Sequence, residues 1–183
     1  MGGVVLRCTA KVLSLLGTST TDLVSAEPSD DDWYANVLWL DRRKCLLLAH
    51  AGTLFSVFVP AVHKADLMPI GASVIALIHA DLRAESFPLN RFGVLNPSSV
   101  RLAKTASRTV LGYMNEMGRF CEYSVARSGG LEYCDDQALN RQLRRELRLS
   151  RRPPGYFVPI ELVGGLSTRD TAVAGRPSLR IVN

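Results

Sequence analysis

Trp33-Tyr34-Ala35-Asn36-Val37-Leu38-Trp39-Leu40 is the stretch that decides the fold. Trp33, Ala35, Val37 and Trp39 lie on one face of a period-2 pattern, and Tyr34, Asn36, Leu38 and Leu40 on the other. Apolar residues on both faces describe a strand covered on both sides. Downstream, the polar turn Asp41-Arg42-Arg43-Lys44, an apolar strand over 45–49, the turn Ala51-Gly52-Thr53 and a strand over 54–59 ended by Pro60 come in quick succession. Connections this short predict an antiparallel meander.

Upstream, residues 4–8 read as a short strand, and Thr9 is placed to cap a helix over 10–16 that Gly17 stops. Residues 18–32, rich in Ser, Thr and Asp, read as an exposed loop. Beyond the meander, Pro69 opens a helix with the apolar stripe Ile70, Val74, Leu77, Ile78 and Leu82. A loop over 87–99 leads to a strand over 100–104. Val110, Leu111, Met114, Met117, Cys121 and Val125 then recur at helical spacing up to Ser128-Gly129-Gly130. Residues 156–163 read as an edge strand. The sum is one α+β domain over 1–163, with an antiparallel sheet of four to five strands and helices packed mainly on one face, and a loosely ordered tail over 164–183.

The charge is concentrated in one place. Arg141-Gln142-Leu143-Arg144-Arg145-Glu146-Leu147-Arg148-Leu149-Ser150-Arg151-Arg152 carries six arginines against one glutamate, a net +5 that equals the formal charge of all 183 residues. Read as a helix, it turns Leu139, Leu143 and Leu147 inward. Arg141, Arg144, Arg145, Arg148 and Arg152 then share the outer side. Five guanidinium groups on phosphates would give a log–log salt slope of about −4 to −5 on duplex DNA. The other reading is a solvated surface whose arginines pair with Glu132, Asp135, Asp136 and Glu146, each pair contributing little.

Ala103-Lys104-Thr105-Ala106-Ser107-Arg108 lies at a strand-to-helix junction. There Lys104, Arg108 and the hydroxyls of Thr105 and Ser107 could surround an anion at a helix N-terminus. Ordinary capping by Thr105 or Ser107 accounts for the same residues, and P-loop glycines are missing. Farther along that helix Asn115 shares a polar stripe with Arg108, and Gly112 suggests a close approach. Asn36, with the basic tip Arg42, Arg43 and Lys44, forms a secondary surface.

Catalytic signatures do not emerge. His50, His63 and His79 are scattered, and no G-x-S-x-G, H-E-x-x-H or Walker motif occurs. Cys8, Cys45, Cys121 and Cys134 have no ligand spacing, so free, mostly buried thiols are expected, with no metal and no cofactor. The longest mostly apolar stretch, 67–80, is interrupted by a proline, a glycine and a histidine, so no membrane span is expected and a cytoplasmic location is.

Two stretches carry a resemblance. Trp33-Tyr34-Ala35-Asn36, running through Asp41-Arg42-Arg43-Lys44-Cys45 to Thr53-Leu54-Phe55-Ser56, and Lys104-Thr105-Ala106-Ser107-Arg108-Thr109-Val110-Leu111-Gly112-Tyr113-Met114-Asn115-Glu116, resemble a family of small bacterial proteins catalogued as a domain of unknown function. That family has W-x-A-N, R-R-K-C and K-T-x-x-R-x-V-L-G-x-M-N segments, and the likeness covers roughly residues 4–162. It implies no activity, but it adds weight to Asn36, Arg42, Arg43, Lys44, Lys104, Thr105, Arg108, Gly112 and Asn115 as a surface. The expected function is a non-enzymatic module binding nucleic acid or an acidic partner through the basic helix, with the Lys104/Arg108 pocket as a second contact. One alternative is an enzyme acting on a phosphorylated small molecule or RNA, with Arg108, Asn115, Glu116 and His50 in one cleft. The other is a homo-oligomeric structural protein.

Overall fold

A computed structural model describes residues 3–151 and 154–166. Five strands form the main sheet: β1 (Val5–Cys8), β2 (Trp33–Leu40), β3 (Arg43–His50), β4 (Ser56–Val59) and β5 (Arg101–Lys104), in the order β4-β3-β2-β1-β5. The expected meander is present, β2 pairing antiparallel with β3 and β3 with β4. Asp41 and Arg42, both at positive φ, make the two-residue turn between Leu40 and Arg43. The sheet is nonetheless mixed, which corrects the antiparallel expectation, because β1 runs parallel to both β2 and β5.

Helices cover both faces rather than mainly one, a second correction. On the first face α1 (Ala10–Leu16) and α2 (Ile70–Ala84) bury Val12, Leu13, Leu16, Val74, Ile78 and Leu82 against Leu6, Trp33, Leu48 and Val57. On the second face α3 (Arg108–Ser128) and α4 (Asp136–Arg145) bury Val110, Met114, Met117, Cys121, Leu139 and Leu143 against Tyr34, Leu47 and Phe58. The two-faced alternation of β2 requires this: Trp33 feeds one core and Tyr34 the other. Gly118 packs α3 against the sheet, since a Cβ there would lie 3.1 Å from the Leu38 side chain. Gly112, which the sequence pointed to, faces open space.

The C-terminal part departs furthest from expectation. The helix begins at Asp136, with Asp135 accepting from the Ala138 N–H, and ends at Arg145. The chain then forms a two-stranded sheet of β6 (Arg148–Arg151) and β7 (Pro154–Phe157), with Leu149 opposite Tyr156. Residues 159–165 are not strand but α5 (Pro159–Gly165), with proline in its first turn, where the missing N–H costs nothing. Arg152 and residues 167–183, most of the expected tail, lie outside the described residues. Among the described residues no helix is long and apolar enough to cross a membrane.

Candidate functional site

The arginines of the basic segment do not form an outward ridge. Arg144 is fully buried, and Arg148 is 7% exposed. The Arg144 guanidinium stacks over the Phe55 ring, 4.4 Å from its centroid, and forms ion pairs with Asp81 of α2 and with Glu85 just past its end. Burial and the neighbouring Arg145 lower its pKa to about 9, still above neutral, so the pairs are ionic. Arg145 donates to Glu85, Nη2 to Oε2 at 2.6 Å. Arg148 reaches the Leu143 carbonyl and lies 3.9 Å from Glu116. Arg141 alone of the four is exposed without such a carboxylate contact.

The reason is the free edge of the sheet. An edge strand leaves alternate N–H and C=O groups unpaired, which burial makes costly. Asn140 and Arg144, one helical turn apart on α4, take these groups of β4. Asn140 accepts from the Phe58 N–H at 2.7 Å and donates to the Phe58 carbonyl at 2.9 Å, while Arg144 Nε donates to the Ser56 carbonyl at 2.9 Å. Two side chains thus stand in for a sixth strand, and the arginine goes on to tie α4 to α2 around that edge.

At the opposite edge the chain covers β5 with its own 18–32 loop, the Val24 N–H donating to the Leu102 carbonyl at 2.8 Å. Beneath, Arg7 is 2% exposed, and each of its three nitrogens donates a hydrogen bond. Its Nε donates to Asp32 at 2.5 Å, Nη1 to the Lys104 carbonyl at 3.1 Å, and Nη2 to the carbonyls of Ala26 and Glu27 at 2.9 Å each. The sequence reading passed over Arg7 and placed Asp32 in an exposed loop, whereas Asp32 is 3% exposed. The available signal was a lone cation inside the apolar strand Val4-Val5-Leu6-Arg7-Cys8.

The ends of β1 and β5 have the geometry that favours ligands. They are adjacent and parallel, with Cys8 opposite Lys104. α1 leaves β1 toward the first face, and α3 leaves β5 toward the second. Helices departing to opposite faces open a crevice at the carboxyl ends of the strands, the usual place for ligands in open α/β sheets. Just outside β5 lies a cleft of about 350 Å³ between the 104–106 junction and the wall formed by Thr20 and 23–26. Lys104 and Thr105 line it together with Leu23, Val24 and Ala106, and no carboxylate does.

The predicted junction residues divide. Ser107 is the helix cap: its hydroxyl accepts from the Val110 N–H at 3.3 Å and its own N–H donates to the Tyr34 hydroxyl at 3.1 Å. Arg108 is exposed at the first position of α3, and Asn115 is exposed roughly 10 Å further along it, at 1.5 Å per residue.

The remaining predicted residues lie elsewhere. Asn36 accepts from the Thr9 hydroxyl at 3.0 Å, fixing the β1–α1 junction. Arg42, Arg43 and Lys44 are exposed beside the far end of α3, where Asp41 accepts from the Leu131 N–H at 3.1 Å. That tip and Lys104 flank opposite ends of a helix about 30 Å long, so they do not form one surface. A model of the family described as Domain of unknown function (DUF6933) matches residues 5–162, from the start of β1 into α5. The chain belongs to that family. No curated protein and no solved structure matches it. The DUF6933 match spans the Lys104 cleft, both protected sheet edges and the C-terminal hairpin alike.

His50 and Glu116 do not converge. His50 packs within 4.4 Å of the Phe92 ring and 5.2 Å of the Trp33 ring on the first face, its Nδ1 3.1 Å from the Thr53 hydroxyl. Glu116 sits on the outer side of α3, on the second face. Burial pushes the His50 pKa down to about 3, so it is a neutral core ring at pH 7. Below its unfolded value near 6.5, acid favours the unfolded chain, and the loss continues until the pH reaches the folded value. The expected slope is about 1.4 kcal/mol per pH unit below pH 6. His50→Phe, which keeps the ring contacts and cannot titrate, should remove that slope in urea melts run between pH 6 and 4.5. Equal slopes in the two proteins would refute the assignment.

Thiol chemistry is equally muted. All four cysteines are free, and burial pushes Cys8 and Cys121 up to about 12, which keeps them protonated and weakly reactive at neutral pH. Among the described residues no group of three His, Cys, Asp or Glu side chains is placed to share a metal ion.

Proposed function

We propose that this protein is a binding module for a small anionic molecule, seated in the cleft at the carboxyl end of β5 with its charged group on Lys104. The observation that carries this reading is the cleft itself: a lysine and a threonine beside apolar Leu23, Val24 and Ala106, with no carboxylate in the lining. A cation on one wall and apolar surface on the other fit a phosphate monoester with an uncharged body. The volume of about 350 Å³ falls at the small end of ligand pockets. Thr105 adds a hydroxyl donor, and Arg108, exposed at the start of α3, adds positive potential at the mouth.

Calorimetric titration with phenyl phosphate tests the proposal. Saturable one-to-one binding is expected. Lys104→Ala should weaken it about 10- to 100-fold, the loss of one charge-assisted contact of about 1.5–3 kcal/mol. Arg141→Ala, at the exposed arginine on α4, should leave it unchanged. Absence of saturable binding by the wild-type protein at millimolar ligand, or an equal affinity in Lys104→Ala, would overturn the proposal.

A further inference from the structure

We infer that Arg7 is the positioning residue of this cleft, a role that rests on the anion-binding reading above and extends it to specificity. Arg7 lines the cleft and holds both of its walls at once. One wall is the end of β5, gripped at the Lys104 carbonyl; the other is the 20–27 segment, gripped at the carbonyls of Ala26 and Glu27. Asp32 orients the guanidinium through Nε and also accepts from the Ser29 N–H at 3.0 Å, so the second wall is anchored to the start of β2 as well. Apart from Arg7, the backbone hydrogen bond that joins that wall to β5 among the described residues runs from the Val24 N–H to the Leu102 carbonyl. The guanidinium therefore sets the distance between the cation on Lys104 and the apolar wall of Leu23 and Val24. Only a planar fork with five donors can bond Asp32 and carbonyls on both sides simultaneously; an ammonium keeps the charge and loses the span.

Arg7→Lys separates this role from simple support. A probe that touches both walls, phenyl phosphate, should bind at least tenfold more weakly to Arg7→Lys, whereas inorganic phosphate, which needs only the Lys104 side, should change less than threefold. The Val24 amide should exchange with solvent at least tenfold faster in the variant while the Leu47 amide in the sheet centre keeps its protection. Equal changes for the two probes, or an unchanged phenyl phosphate affinity, would overturn the inference. If Arg7→Lys does not fold, the wild-type Arg7 Nε–H signal decides: saturating phenyl phosphate should slow its solvent exchange at least threefold, and unchanged exchange overturns the role. Failure of the wild type to bind either probe removes the anion-binding reading and this role together; binding at Lys104 without these Arg7 effects removes the role alone.

Discussion

Arg144→Met should destabilise the protein by about 3–5 kcal/mol, the usual cost of removing one partner of a buried ion pair. The methionine fills similar space, but it leaves Asp81 without its partner, leaves the Glu85 carboxylate, 4% exposed, to Arg145 alone, and frees the Ser56 carbonyl on the β4 edge. Arg145 does not take over at Asp81, since its side chain is half exposed and its carboxylate contact is with Glu85. Urea denaturation measures the loss. Adding Asp81→Asn to Arg144→Met should recover part of it, because the unpaired charge is then gone and the two changes share one network. A cost below about 1 kcal/mol would mean that Arg144 is an ordinary surface cation after all.

Arg7→Met should have a comparable effect at the other edge of the sheet. Asp32 is left buried without a cation, and the carbonyls of Ala26, Glu27 and Lys104 lose their donor. The expected loss of about 3–5 kcal/mol corresponds to a fall in Tm of roughly 10 °C for a chain of this size. A thermal melt lowered by less than about 2 °C would show that the Arg7–Asp32 pair does not hold the 18–32 loop against the sheet.

These two arginines also mark where the sequence was hard to read. The alternation from Trp33 to Leu40, the Thr9-to-Gly17 bounds of α1 and the periodic stripe of α3 are local patterns, and each matches an element of the fold. Local patterns say which residues are buried; they do not say what those residues meet. The parallel alignment of β1 with β5 joins residues nearly a hundred positions apart, and nothing in either short strand encodes direction. The same holds for Arg144, whose partners Asp81 and Glu85 lie some 60 positions upstream at the end of a helix from the other face.

The misreading of residues 146–151 has a more particular cause. Leu143 and Leu147 continue the helical spacing, yet Leu147 and Leu149 also alternate with the buried Arg148 and Ser150 at strand spacing. No glycine or proline interrupts the run before Pro153, so both periods fit and the sequence does not mark the helix end at Arg145. The signal that favoured the observed structure was the pair Asn140 and Arg144, polar residues interleaved with the inward leucines Leu139 and Leu143. Such interleaving suits a helix lying along a strand edge that has backbone groups to satisfy.

The junction at Lys104 was legible for a different reason. Helix caps and strand ends are specified by adjacent residues, so the chemistry of Lys104, Thr105 and Ser107 could be read from a short window. The window could not show that Ser107 is consumed by the cap while Lys104 and Thr105 open onto a cleft, because the opposite wall comes from residues 20–26, about eighty positions away.

The most direct test of the account is to map where a small phosphate ester meets the protein, residue by residue, in a two-dimensional amide NMR titration with phenyl phosphate. Saturable shifts are expected at 23–26 and 104–109, with 139–149 unmoved. Shifts centred on Arg141, Arg145 and the C-terminal hairpin, with the 104–109 amides silent, would contradict it and return the function to the basic segment.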